Sequence, residues 1–264
     1  MTRLLAPIVF LLSLPLSADE PAPTPLRVLC YNIHFGQGMD GNYDLERLAK
    51  VIQNLDPDLV ALQEVDVGVE RSHRVHQARK LAELTGLQVR YGPTQHYQGG
   101  LYGNAVLTKL PILDVHIQPL PYTEATEQLQ TYPRGAIAVT VQAPDGKPLR
   151  FISTHFQHNV PEDRLAEAKA LNEFFAEKDD ARTILAGDFN ATPDSSPIAE
   201  LLTQWHSGND DAFEPSAPSQ NPKNRIDYIF FRPARAFHVL SSRVIAETMA
   251  SDHRPVFSEL RLQP

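Results

Sequence analysis

At six places along the chain an acid, an amide or a histidine stands just where an apolar, strand-forming run stops. Asn32 ends the first such run, Glu64 ends the second in Leu62-Gln63-Glu64-Val65, and His155 ends Phe151-Ile152-Ser153-Thr154-His155. Asp188 and Asn190 follow Ile184-Leu185-Ala186-Gly187, Asp227 lies within Arg225-Ile226-Asp227-Tyr228-Ile229, and Asp252-His253 precede the last run. Strand ends in layered α/β folds converge on one rim, so these placements predict a single polar cleft. Oxygen donors such as Glu64 and Asp252 suit a hard cation, Mg²⁺ or Mn²⁺, whereas a structural zinc site would need more His or Cys at short spacing. Phosphoester chemistry also requires an activated water, positive charge over the phosphoryl oxygens and help for the departing oxygen. Arg71, Asn104 and Arg134 are further candidates for phosphate contacts, because guanidinium forks and amides match its oxygens.

Each of these residues alone has a plainer reading. An isolated Glu64 or Asp188 would be a cap, a turn former or a surface charge, and Arg71 a surface ion-pair partner. Asp227 is harder to dismiss, since an unpaired carboxylate in the apolar run Ile226–Phe231 is costly; its expected partner is His253. The remaining histidines, His158 among them, are expected to be solvated, with His34 an intermediate case near Asn32. Cys30, Phe151, Phe174, Phe175, Phe230 and Phe231 are expected in the core.

The elements that must position the polar set alternate along the chain. Strands are predicted at 27–33, 59–65, 102–108, 112–118, 135–142, 149–154, 183–186, 226–231, 237–245 and 256–260. Helices are predicted at 43–55, 74–85 and 161–177, with a short one near 198–203 and a polar loop over 207–223. Mixed strands flanked by a few helices indicate an α/β or α+β sandwich in one large domain.

The ordered motifs resemble the endonuclease/exonuclease/phosphatase superfamily. They are Tyr31-Asn32-Ile33-His34, Leu62-Gln63-Glu64-Val65, Gly103-Asn104-Ala105-Val106-Leu107, Ser153-Thr154-His155, Gly187-Asp188-Phe189-Asn190, Ile226-Asp227-Tyr228 and Ser251-Asp252-His253-Arg254-Pro255. The resemblance implies a four-layer α/β sandwich, two packed mixed β-sheets flanked by helices. It implies that Glu64, with Asn32 and Asp252, holds a divalent cation. It makes His253 the general base for water, oriented by Asp227, with Asp188 positioning that water and Asn190 binding a phosphate oxygen. His155 resembles the second histidine of the deoxyribonuclease-like and sphingomyelinase-like members, where it assists charge development or the leaving group.

Composition narrows the partners. The 264 residues carry 24 Lys+Arg against 32 Asp+Glu, a net charge of -8, which denies the chain the broad basic field of a general duplex-coating protein. A single cysteine excludes intramolecular disulfides and Cys-based zinc clusters. Residues 1–18 read as a signal peptide, with Arg3, the apolar run Leu4–Leu16 and Leu16-Ser17-Ala18 before Asp19, followed by a Pro-rich tether at 19–25 and the domain at 26–264. The apolar run is shorter than the ~20 residues of a spanning helix, so a periplasmic or secreted monomer with no stable membrane insertion is expected. Its substrate is expected to be a phosphoester, on a nucleic acid or a small phosphorylated metabolite. The alternatives are a sphingomyelinase-like lipid head-group phosphodiesterase, which would want an exposed apolar loop, and a non-catalytic binding protein on the same fold.

Overall fold

Alternation along the strands dictates layers on both sides. In β1 (Leu26–Asn32), Val28 and Cys30 face one apolar cluster while Leu29 and Tyr31 face another, and all four are buried. A strand apolar on both faces needs a cover on each. The computed structural model describes residues 25–176, 180–208 and 214–263, so the expected leader and residues 19–24 of the tether lie outside the described residues.

In chain order the elements after β1 are α1 (Leu45–Leu55), β2 (Leu59–Val67), α2 (Gln77–Thr85), β3 (Gln88–Tyr97), β4 (Gly100–Thr108), β5 (Ile112–Pro119) and β6 (Gly135–Gln142). Then come β7 (Pro148–His155), α3 (Pro161–Phe175), β8 (Thr183–Asp188), α4 (Ser196–Leu201), β9 (His206–Ser207), β10 (Asp227–Arg232), β11 (Phe237–Val244) and β12 (Val256–Leu262). The strands form two six-stranded sheets, ordered β11-β12-β1-β2-β4-β3 and β5-β6-β7-β8-β10-β9. Between them lies a dry layer containing Val28, Cys30, Ala61, Val139, Phe151 and Ile184. Helices α1 and α2 cover the outer face of the first sheet, placing Leu48, Ile52 and Leu81 against Leu29, Tyr31 and Leu62. Helices α3 and α4 cover the second, with Leu171, Phe175 and Ile198 against Ile152, Leu185 and Phe230. The fold is the expected four-layer α/β sandwich of two mixed sheets. Among the described residues no helix is long and apolar enough to cross a membrane.

Each sheet is mostly antiparallel but has one parallel pair at its centre, β1 with β2 and β7 with β8. Parallel neighbours end at the same edge. Asn32 is thus in register with Gln63 beside Glu64, and His155 with Asp188; antiparallel β10 begins opposite Asp188 at Asp227. Gly187 permits the second alignment, because a Cβ there would stand 2.4 Å from the Thr154 carbonyl oxygen.

Several boundaries differ from the sequence expectation. Helix α2 starts at Gln77, three residues late, because His73 and Arg74 take left-handed φ of 58° and 60° and His76 caps the helix by accepting the Arg79 N–H at 3.3 Å. Strand β3 was not expected. It is an edge strand pairing only with β4, largely half-exposed, and broken by a register shift at Pro93, so it lacks both an apolar run and clean alternation.

Candidate active site

Strand ends from both sheets close around a cavity of about 260 Å³. Beneath its floor Gln63 joins the sheets, its Nε2 donating to Ser153 Oγ at 3.1 Å, while its Oε1 accepts Cys30 Sγ of the neighbouring strand at 3.6 Å. Gln63 points between the sheets, and plain alternation would send Glu64 the other way. A register shift between Leu62 and Val65, with Glu64 at φ 58°, turns its carboxylate onto the cavity wall instead. Strain of this kind at a non-glycine residue is stored where a side chain must be aimed.

Asp227 and His253 pair as the sequence predicts, Nδ1 to Oδ2 at 2.9 Å. Ser216 Oγ donates to the same carboxylate oxygen at 2.6 Å and accepts the Ile226 and Asp227 N–H groups, which fixes the acid in place. Asp227 Oδ1 is buried with no hydrogen-bond partner among the described residues. Burial alone would lower the His253 pKa, but Asp227, Asp188 and Asp252 outweigh it and lift the imidazole well above its ordinary value. Its Nε2 faces Asp188 Oδ2 at 3.7 Å.

Asp188 is the hub of the site. Its Oδ2 accepts Asn32 Nδ2 at 3.0 Å and lies 3.4 Å from His155 Nε2, while Oδ1 accepts the Asn190 N–H at 2.9 Å. Burial, reinforced by the Asp227 charge, pushes its carboxyl up to about 7. Asn190, at φ 48°, sends Nδ2 to within 3.1 Å of His155 Nε2 and donates to the Phe156 carbonyl. His155 is held well below the ordinary imidazole value, first by burial and then by the charge of Arg134. N–H donors face both ring nitrogens, Arg134 NH1 at Nδ1 and Asn190 Nδ2 at Nε2, and Asp188 Oδ2 is the acceptor beside Nε2.

The expected cation ligands come together only in part. Asn32 Nδ2 contacts both Glu64 Oε1, at 3.3 Å, and Asp188 Oδ2, while its own oxygen accepts the His34 N–H at 3.0 Å. The amide therefore bridges two carboxylates and presents nitrogen to them. Asp252 turns away, its Oδ2 3.9 Å from His34 Nε2. Asp188, Asp227 and His253 do offer donor atoms within 4.8 Å of one another. Glu64 has no cationic partner among the described residues and opens onto the cavity. An oxygen-rich set with a free carboxylate and an orphan carboxylate oxygen fits a hard divalent cation.

The three expected phosphate contacts separate. Arg134 lines the cavity. Arg71 lines it too, but its fork is closed on buried Asp66, Nε to Oδ2 at 2.8 Å and NH2 to Oδ1 at 3.0 Å, and its guanidinium lies over Phe35, 3.7 Å from the centroid. Asn104 does not reach the cavity; it is 2 % exposed and spends Nδ2 on the Gly135 carbonyl across the sheets. His158 is exposed, as expected, yet it stands on the cavity wall, 3.3 Å from Arg134 NH2 and stacked on Tyr132. Tyr97, Tyr102 and Tyr132 complete the wall. Tyr97 and Tyr102 lie in an aromatic stretch with a Gly-Gly turn over 91–102, whereas nothing local marks Tyr132. Tyr132 and His158 flank the paired strands β6 and β7, a proximity that pairing reveals and sequence spacing does not.

A family model for the Endonuclease/Exonuclease/phosphatase family matches residues 29–253. The chain is 26% identical over 263 residues to the uncharacterised protein YbhP of Escherichia coli (strain K12), covering 92% of this chain and 99% of that one. Its fold matches the crystal structure of an endonuclease/exonuclease/phosphatase from Beutenbergia cavernae DSM 12333 with a TM-score of 0.76 and 26% identity, over 91% of this chain and 72% of that chain. It also matches the fold of a mannosyl-6-phosphatase from Bacteroides thetaiotaomicron VPI-5482, with a TM-score of 0.71 and 20% identity, over 89% of this chain and 99% of that chain.

Proposed function

The chain belongs to the endonuclease/exonuclease/phosphatase family, and on that premise we propose that it hydrolyses a phosphoester by direct attack of a water that His253 deprotonates. The observation that carries this reading is the His253–Asp227 pair, held at 2.9 Å beside a cavity that Glu64, Asp188, Asn190 and Arg134 also line. Asp227 fixes the imidazole by holding Nδ1, which leaves Nε2 as the proton acceptor. The surrounding carboxylates raise its proton affinity, making it a stronger base than a free imidazole. Asp188 positions the water, and Asn190 Nδ2 donates to a phosphoryl oxygen. His155 stabilises the departing oxygen. Glu64, with Asn32 beside it, would hold the divalent cation. That cation, Mg²⁺ or Mn²⁺, supplies positive charge against the phosphoryl oxygens. We also propose that the mature chain acts outside the cytoplasm, on the strength of its N-terminal sequence.

The test is hydrolysis of p-nitrophenyl phosphate, bis(p-nitrophenyl) phosphate, single- and double-stranded DNA, RNA, sphingomyelin and inositol phosphates, each with Mg²⁺, Mn²⁺, Ca²⁺ or EDTA. Turnover that needs the metal and falls about 10²- to 10⁴-fold in His253→Ala is expected. Folded, metal-binding protein that turns over none of these would sink the reading.

A further inference from the structure

The part of the cavity wall made by Tyr132, Arg134 and His158 stands beyond the reach of strand pairing. The ladder of β6 with β7 ends at the rung of Ala136 with Thr154. Tyr132 and Arg134 precede that rung in one loop, and His158 follows it in another. Their side chains constrain one another only loosely. The Tyr132 and His158 rings stack with centroids 5.5 Å and planes 15° apart. Arg134 divides its fork between His155 Nδ1 and His158 Nδ1, each at 3.3 Å, and bonds no carboxylate among the described residues. One ring stack is a weak constraint, and a preformed site needs its side chains locked by what stands behind them.

Behind this wall lies Gln157, fully buried. Its Nε2 donates to the Tyr132 carbonyl at 3.1 Å, 25 residues back along the chain. Its Oε1 accepts the His158 N–H at 3.1 Å and the Asn159 N–H at 3.4 Å. One amide thus grips the backbones of the two residues whose rings stack on the wall. The segment does not need that amide merely to stay in place. Helix α3 already anchors it, since Glu167 accepts the Gln157 N–H at 2.9 Å and Arg164 NH1 donates to the Gln157 and His158 carbonyls at 3.1 and 3.0 Å. Farther out, Asn159 Nδ2 ties the same two loops by donating to the Gln130 carbonyl at 2.9 Å. What the Gln157 side chain alone supplies is the alignment of Tyr132 with His158. We propose that Gln157 is a positioning residue, which sets that pair as a rigid wall against the substrate without touching it. This rests on the hydrolytic reading for its effect on turnover. Tyr132 and His158 meet the substrate before and during the reaction alike, while His253, Asp188 and Asn190 are held by other bonds. Loss of alignment should therefore act on KM far more than on kcat.

The experiment compares wild type, Gln157→Met, Gln157→Glu and Asn159→Ala on whichever of p-nitrophenyl phosphate and bis(p-nitrophenyl) phosphate the wild type turns over. Gln157→Met keeps the side-chain length and removes the amide. It should raise KM about five- to tenfold, the size of one hydrogen bond, with kcat within about twofold of wild type. In Gln157→Glu the introduced carboxyl can donate to the Tyr132 carbonyl only while protonated. Its KM, taken as a ratio to wild type at each pH, should start near one at about pH 5 and climb toward the Gln157→Met value by about pH 9. Asn159→Ala cuts the outer tie alone and should leave KM unchanged. An equal rise in Asn159→Ala, a flat ratio in Gln157→Glu, or a loss confined to kcat would overturn the proposal. Proton NMR of the His158 ring reads the alignment without turnover. The ring-current shift that Tyr132 imposes on it, assigned with Tyr132→Ala, should vanish in Gln157→Met and persist in Asn159→Ala. A shift retained in Gln157→Met overturns the proposal. If wild type hydrolyses neither ester, the hydrolytic reading fails by itself and this shift decides whether Gln157 aligns the wall. If Gln157→Met does not fold, the pH course of KM and ring shift in Gln157→Glu carries the test.

Discussion

Strand β7 changes character within four residues. Phe151, at its middle, is fully buried in the dry layer between the sheets, and its contacts are apolar. His155, at its end, meets Arg134, Tyr102, Asn190 and Asp188. Strand β1 repeats the change from Cys30 in the core to Asn32 at the rim. Mid-strand side chains have every demand met by their neighbours. Rim residues keep capacity in reserve: an orphan oxygen on Asp227, a carboxylate on Glu64 without a cation, an arginine without an anion. Stability is made in the middles and chemistry at the ends, and the two should come apart under mutation.

The strongest test of that separation is a pair of substitutions on β7. Phe151→Ala should cost about 3–5 kcal/mol of stability, measured by urea unfolding, while turnover per folded molecule stays within about twofold. His155→Gln should cost about a hundredfold in kcat with far less change in unfolding midpoint. A Phe151→Ala enzyme that stays folded yet loses its chemistry would show that the core also tunes the rim.

Much of this division was legible in the sequence. Strand β6 matches its expected span to the residue, because Gly135 opens an unbroken β-prone run. The acids and His253 stood out because they interrupt apolar runs, and burial of Asp227 demanded a partner. The rest failed for physical reasons. Tyr132 and His158 sit in loops and become neighbours only through the pairing of β6 with β7. Asp252 adjoins His253 in sequence but turns toward His34, and Asn104 carries a motif without reaching the cavity. Local sequence shows which residues leave the core, and the packing of the two sheets decides where they point.

Glu167 tests whether a polar group can be buried behind the site on the core's terms. Both of its oxygens accept the Gln157 N–H, at 2.9 and 3.3 Å, and the carboxyl is pushed from 4.5 up to about 8, mainly by burial. The folded chain thus binds this proton more tightly than the unfolded chain. The contribution is fully present below about pH 4.5 and is lost as pH rises through about 8. Between about pH 5 and pH 9 wild type should lose on the order of 3–5 kcal/mol relative to Glu167→Gln, read from urea midpoints at each pH. Parallel pH curves for the two proteins would refute the raised value.

At the rim the same sign should hold. Asp188 is buried beside Asp227, and burial lifts its carboxyl from 3.8 to about 7. A carboxyl raised in the folded state stabilises below its unfolded value and loses that contribution as pH rises through about 7. Asp188→Asn should therefore match or fall below wild type in unfolding free energy near pH 4, and exceed it near pH 8 in EDTA by about 1–3 kcal/mol, read from urea unfolding. Turnover should fall nonetheless. A less stable, inactive Asp188→Asn would mean that the acid holds the rim together rather than standing in reserve.

Asn104 sharpens the boundary, because its motif belongs with the rim residues while its contacts belong to the middle. Its Nδ2 donates at 2.9 Å to the Gly135 carbonyl, which also accepts Thr154 Oγ1 at 3.2 Å, so it ties β4 of one sheet to β6 and β7 of the other. Deleting the amide removes one buried hydrogen bond and leaves that carbonyl a second donor, which limits the loss. Asn104→Ala is expected to cost about 1–2 kcal/mol in urea unfolding and to leave KM and the inhibition constant for inorganic phosphate unchanged. A severalfold weaker affinity for phosphate at undiminished stability would move Asn104 back to the rim, and with it the line where the core ends.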